Sequence, residues 1–237
     1  MIETTKELLD DTFRDKNVLL VGNSVELMNY DYGKWIDSFD VVVRFGKGIE
    51  TDDREKIAVG EKTDVWVTGE FRSHMIKDRH LRSIVDNIPI LYNTNRWRMD
   101  RTYPKIRLME GSYDMFTDPE LLDLFARYNI TDFNNPDGKR MSAGILTIIF
   151  MCEKIKVFNS LTLIGFDFFA KITTSRRGGV GDPASWYRPI LGTPTEVHDH
   201  DTEINIVQDF IDQGLVEWKI LSDLKPEVVL DTQYGKF

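Results

Sequence analysis

A chain of 237 residues, 41% hydrophobic and 29% charged, is long enough to bury a substantial core in one domain. Its net charge of −9 argues against general coating of nucleic acid or anionic membrane, while leaving room for a local basic site. The longest apolar run, Ile145 to Cys152 interrupted by Thr147, is far too short to span a bilayer.

The amino-terminal stretch MIETTKELLDDTFRDK is acidic and amphipathic through Leu8, Leu9 and Phe13; it predicts a helix over 3–14 and lacks the layout of a signal peptide. Val18 to Gly22 is an unbroken apolar run, the pattern of a strand buried on both faces. It breaks at Gly22-Asn23-Ser24 and gives way to Val25, Leu27 and Met28, which predict a helix over 25–36. Further strands are expected near 40–45, 64–68, 88–92, 160–166 and 216–221, and further helices near 118–128, 143–156 and 201–213. This alternation implies a single-domain α/β fold over 1–237, Rossmann-like, with a mostly parallel sheet flanked by helices. The lone cysteine, Cys152, lies in an apolar helical pattern and can form no internal disulfide. It points to a buried, inert thiol and a reducing, cytoplasmic compartment.

Several segments carry chemistry. Gly22-Asn23-Ser24 places backbone N–H groups and an amide at the carboxyl end of a strand, where phosphates and riboses bind in open α/β sheets. Ser142-Ala143-Gly144 opens a helix, whose exposed amides and dipole favour an anion; the same residues also read as a plain N-cap by Ser142 with no ligand. Gly165-Phe166 ends a second apolar strand. Val197-His198-Asp199-His200-Asp201-Thr202-Glu203 is the densest titratable cluster. A neutral histidine there is a competent general base. The cluster also reads as a solvated helix entry, or as a divalent-metal site of a phosphohydrolase built on His198-Asp199-His200-Asp201. With only His74 and His80 besides, a multi-histidine metal site needs many distant carboxylates, so base ranks above metal.

Lys171 to Val197 is the segment most like a loop, with Gly178, Gly179, Gly181 and Gly192, three prolines, and Lys171, Arg176, Arg177 and Arg188. Its length suits either a lid or a disordered insertion; leading directly into His198 favours a lid over 171–197, with Arg176 and Arg177 as candidate phosphate contacts. Arg96 to Arg107 mixes cations with Trp97 and Tyr103, which suits either a solvated surface or base stacking with phosphate neutralisation.

Taken in order, these elements resemble one family. Val21-Gly22-Asn23-Ser24, Gly33 with Ile36-Asp37, and Asp40-x-Val42-x-Arg44-Phe45 resemble the large sialylmotif of the animal-type sialyltransferases, glycosyltransferase family 29. Gly60-Glu61-Lys62-Thr63 looks like the Gly-x-Lys-Thr that follows. Ser142-Ala143-Gly144, Cys152 and Gly165-Phe166 resemble the small sialylmotif, with a longer span from the cysteine. His198 and Glu203 match the family's His-x4-Glu, and Val-His-Asp looks especially like the branch making α2,3 linkages. The motifs cover roughly residues 18–211.

The departures are specific. Gly46 follows Arg44-Phe45 where the family has asparagine, so one donor-binding amide is missing, and Ala143 stands where the family has threonine. The family's partner for Cys152 corresponds to Val18, so the linking disulfide is absent. No His-Tyr-x-Glu precedes His198, where Ser185-Trp186-Tyr187 stands, and the chain is expected to lack an amino-terminal anchor. These changes fit a soluble bacterial or viral relative.

The resemblance implies a sialyltransferase-like variant of the GT-A fold and an inverting, metal-independent transfer from a CMP-activated sugar to an acceptor hydroxyl, with no cofactor. Gly22, Asn23, Ser24, Arg44, Ser142, Ala143, Gly144, Gly165 and Phe166 would bind the donor, His198 would act as base, and Glu203 would position the base's helix. The acceptor is expected to be a glycan or, as a minority reading motivated by Arg96–Arg107, a hydroxyl-bearing modified base in DNA. The rivals are the metal-dependent phosphohydrolase and a non-catalytic nucleotide or nucleic-acid binding module using Asn23 and Arg96–Arg107.

Overall fold

The first strand is apolar throughout because both of its faces are covered. Val18 and Leu20 of β1 (Asn17–Val21) enter one core, and Leu19 and Val21 enter a second on the opposite side of the sheet. The same alternation runs through β2 (Val41–Phe45), where Val41, Val43 and Phe45 face the first core and Val42 the second. The computed structural model describes residues 3–24, 27–28, 30–49, 53–68, 83–92, 111–115, 118–130, 141–166, 200–219 and 224.

Among the described residues, seven parallel strands form one sheet: β3 (Val65–Thr68), β4 (Ile90–Tyr92), β5 (Tyr113–Asp114), β6 (Ser160–Ile164) and β7 (Glu217–Trp218) join the first two in the order β5-β4-β3-β2-β1-β6-β7. The chain builds outward from β1 to β5, then returns to lay β6 on the other side of β1. The order therefore reverses between β1 and β6. In doubly wound sheets ligands bind in the crevice outside the carboxyl ends of the strands at that reversal.

Helices cover both faces. The first core receives Leu9 and Phe13 of α1 (Lys6–Phe13), and Leu121, Leu124 and Phe125 of α4 (Pro119–Arg127). It also receives the fully apolar face of α5 (Ala143–Phe150), and Ile206, Val207 and Phe210 of α6 (His200–Asp212). The second core receives Ile36 of α2 (Gly33–Asp37) and Ala58 and Val59 of α3 (Asp53–Val59). Each fully buried side chain of the size of Phe125 or Phe150 contributes about 1.5–3 kcal/mol relative to exposure. Capping is explicit: Thr5 accepts from Leu8 N–H, and Asp118 accepts from the amides of Glu120 and Leu121.

Four elements depart from expectation. The helix expected over 25–36 begins at Gly33. Leu27 lies in a short turn, its N–H bonded to Ser24 O at 3.3 Å, and the buried residues Leu27, Tyr32 and Ile36 are not spaced for one continuous helix face. The start of α2 is set by contact with α3, because a Cβ on Gly33 would lie 2.2 Å from Lys56 O. The short helix α3 carried no readable signal: its pattern is inverted, with Glu55 buried and Ile57 exposed. The helix expected over 143–156 is α-helical only to Phe150 and continues as a π turn over Met151–Ile155. That turn carries Glu153 to the Tyr128 hydroxyl at 2.8 Å and the Lys154 ammonium to Asp118 and Glu120 at 2.5 and 2.9 Å. The two-residue β5 is too short to leave a periodic pattern.

Cys152 is buried in that turn, and burial, with Glu153 adding to it, pushes its thiol up to about 12. The thiol is buried, as expected. Among the described residues no helix is long and apolar enough to cross a membrane.

Candidate active site at the carboxyl ends of β1 and β6

The crevice position predicted by the strand reversal is where the motif residues converge. Beyond β1, Gly22 N–H donates to Ile164 O at 2.8 Å and Ser24 N–H to Gly165 O at 3.1 Å, so the two chain segments leave the sheet side by side. Their separation leaves no room for a side chain, since a Cβ on Gly22 would lie 2.2 Å from Gly165 O, a backbone atom. Gly165 turns the chain at φ +69°, a conformation that ends β6 at Ile164 rather than at 166. Leu27 closes over this turn and lies 2.4 Å from where a Gly165 Cβ would be.

Phe166 then joins three strand and helix ends. Its ring meets Phe45 edge-on with centroids 5.7 Å apart, and it packs so closely on α5 that a Cβ on Gly144 would stand 2.7 Å from its Cε1. Asn23 donates weakly to Phe45 O at 3.5 Å, tying the end of β1 to the end of β2. Its Oδ1 is buried and has no hydrogen-bond partner among the described residues. Gly22, Asn23, Ser24, Ser142, Ala143, Gly144, Gly165 and Phe166 are thus brought to one end of the sheet from three separate stretches of sequence.

Ser142 is the N-cap of α5, as the plainer reading of that motif expected: its Oγ accepts from Ile145 N–H at 3.3 Å. It is also held from outside the helix. Glu203 Oε1 accepts the Ser142 N–H at 2.6 Å, and Glu203 Oε2 accepts the Ser142 hydroxyl proton at 2.8 Å. Glu203 has no exposed surface. It falls on the buried stripe of α6 with Ile206, Val207 and Phe210, at the i, i+3, i+4, i+7 spacing of one helix face. This link between two motifs had no sequence signal, because the residues are 61 apart.

Arg44 is placed differently. It too is completely buried, but alternation along β2 puts it with Val42 on the second-core face. Its guanidinium donates to Val59 O at 2.6 Å and Lys62 O at 2.9 Å, with Asp37 Oδ1 at 4.0 Å. Asp37 accepts the amides of Glu61 and Lys62 at 3.1 and 3.0 Å, and the Lys62 ammonium caps the carbonyls of Phe39 and Asp40. The motif pieces Gly33, Asp37, Arg44 and Gly60 to Thr63 therefore form a second assembly that fastens β2 to the loop before β3.

His198, Asp199, the segment 171–197 with Arg176 and Arg177, and the run Arg96–Arg107 lie outside the described residues. Asp201, from the metal-site alternative, is exposed on the first turn of α6. Gly46 begins a 3-10 turn over Gly46–Ile49, its carbonyl accepting the Trp66 indole N–H at 2.7 Å.

Known proteins share both sequence and architecture with this chain. The crystal structure of a mammalian sialyltransferase in complex with Gal-beta-1-3GalNAc-ortho-nitrophenol superposes with a TM-score of 0.54 at 19% identity, covering 91% of this chain and 73% of that one. A second crystal structure of a mammalian sialyltransferase gives a TM-score of 0.50 at 20% identity, covering 86% and 69%. These two likenesses establish the fold. The mouse CMP-N-acetylneuraminate-beta-galactosamide-alpha-2,3-sialyltransferase 1 is 25% identical over 215 residues, 79% of this chain and 54% of that protein. The chain thus spans about half the length of that curated relative. The family model described as glycosyltransferase family 29 (sialyltransferase) matches residues 9–215, nearly the whole chain, and the chain belongs to that family.

Proposed function

We propose that this chain transfers a sugar from a CMP-activated donor to a glycan hydroxyl, with inversion and without a metal. The observation that carries this reading is the convergence of the Gly22–Ser24, Ser142–Gly144 and Gly165–Phe166 segments on the crevice where the strand order reverses. The relatives supply the chemistry by name: a CMP-N-acetylneuraminate donor for the mouse enzyme, and a Gal-beta-1-3GalNAc derivative in one of the mammalian crystals. A glycan acceptor follows from both names.

In this mechanism Asn23 and the first-turn amides of α5 hold the nucleotide and its phosphate, using the orphan N–H groups and dipole of a helix start. His198 removes the acceptor proton as the hydroxyl attacks the anomeric carbon from the face opposite the nucleotide. The bond to CMP breaks as the new glycosidic bond forms, and the phosphate needs no protonation to leave. Arg44, whose guanidinium donates to the carbonyls of Lys62 and Val59, acts by holding the end of β2 in place.

Calorimetric titration with CMP, CDP, UDP, UMP and GDP tests the donor class. We expect CMP to bind preferentially; binding of none of the five would sink the reading. A transfer assay with CMP-N-acetylneuraminate and a β-galactoside, run with and without excess EDTA, separates it from the metal-dependent phosphohydrolase. Transfer that survives chelation removes that rival, and product formation removes a purely binding role.

A further inference from the structure

We propose that Glu203 is a positioning residue that completes the amino-terminal cap of α5 from a different helix, so that the donor-holding helix end and the start of the base-bearing segment move as one unit. This deepens the function proposed above and rests on it.

In a capping box, a carboxylate three residues after the N-cap, on the same helix, accepts the N-cap backbone N–H. Three residues after Ser142 stands Ile145, which is fully buried in the core, so α5 cannot supply that carboxylate itself. Glu203 supplies it from 61 residues away, accepting both the Ser142 N–H and the Ser142 hydroxyl proton. The hydroxyl has one proton, and spending it on Glu203 leaves its lone pairs to receive Ile145 N–H. The three groups therefore fix one another's directions. The carboxylate also faces the positive end of the α5 dipole.

Two consequences follow. Glu203 lies in the first turn of α6, which begins at His200, two residues after His198. The clamp therefore anchors the helix turn that follows the proposed base most closely in sequence. In addition, the Ser142 amide is already occupied by an anion of the protein's own, so an incoming phosphate meets the orphan amides of Ala143 and Gly144 instead. Gly144, packed beneath Phe166, is then the point at which donor and clamp share a helix turn.

The test uses the full chain with CMP-N-acetylneuraminate and a β-galactoside, for the wild type, Glu203→Gln, Ser142→Ala and the double variant. Each single substitution is expected to lower kcat about tenfold while leaving the donor KM and the CMP dissociation constant within about threefold. The double variant is expected to be no slower than either single one, because one unit has been broken once. Ser142→Thr, which returns the hydroxyl, is expected to recover most of the kcat lost in Ser142→Ala. Hydrogen exchange at the first-turn amides of α6 is expected to quicken in Glu203→Gln without any ligand. Multiplicative losses in the double variant, unchanged kcat in Glu203→Gln, or unchanged exchange would overturn the clamp. Absence of CMP binding and transfer in the wild type would overturn the functional reading instead, leaving the exchange result to judge the clamp alone. If Glu203→Gln fails to fold, Ser142→Ala carries the kinetic comparison.

Discussion

Arg44 and Glu203 are both charged, both completely shut off from solvent, and both part of motifs visible in the sequence, yet they sit on opposite faces of one sheet and serve different ends. Arg44 donates to the carbonyls of Val59 and Lys62, fastening β2 to the loop before β3. Glu203 spends its carboxylate on Ser142, and so links two helix starts that both border the crevice. Burying a charge is tolerated only when hydrogen bonds replace the lost water, so each position demands its residue strongly. The demand looks the same from the sequence. What separates the two is which elements the partners belong to.

The largest expected effect lies on the Arg44 side. Arg44→Ala strands two buried carbonyls and leaves a cavity, for a loss of ~3–5 kcal/mol of stability in urea unfolding. Activity per folded molecule, measured well below the new melting temperature, should fall only a few-fold. A large specific loss of donor affinity in the folded variant would return Arg44 to the donor site.

His198→Ala probes the other side with the opposite signature. It should lower kcat about a hundredfold, equivalent to about 2.7 kcal/mol of barrier, while CMP binding and the unfolding midpoint persist. Near wild-type turnover would remove the base from the mechanism.

The glycines grade the site's rigidity. Gly22→Ala would press its Cβ against the Gly165 carbonyl, backbone against backbone, and should cost about 1–3 kcal/mol together with donor affinity. Gly144→Ala presses on the Phe166 ring, which can tilt, and touches Ser142 Oγ only at ordinary contact distance, so its stability cost should be smaller, about 1 kcal/mol, with a several-fold rise in donor KM. Equal KM values for Gly144→Ala and wild type would place Phe166 outside the donor's reach.

The effect that is smallest at neutral pH appears only in alkali. The Cys152 thiol titrates at about 12 in the folded chain against an unperturbed 9.0, so the folded state holds its proton longer than the unfolded one. Stability from this group is fully present below pH 9 and drains away as pH rises toward 12. Cys152→Ala should flatten that part of the alkaline loss, and thiol reagents at neutral pH should label Cys152 only as fast as the chain unfolds. Fast labelling of the native protein would show the π turn open.

Much of the architecture was legible in local pattern. The apolar run at Val18–Val21 read as a strand covered on both faces, and is one; the runs near 40–45 and 160–166 read as strands, and they are. Ser142 read as an N-cap, and is one. Patterns of this kind survive because periodicity and capping depend on residues a few positions apart. Where long-range contact decided, local reading stopped. The start of α2 depends on the backbone of α3, α3 turns a glutamate inward and an isoleucine outward, and α5 widens into a π turn so that Glu153 and Lys154 meet Tyr128 and Asp118. The order of motifs along the chain determined the family and the set of residues worth watching. Only the tertiary structure decided that Arg44 donates to the carbonyls of Val59 and Lys62 while Glu203 caps a helix 61 residues upstream, because a charge's work is set by the partners the fold brings to it and no local pattern records them.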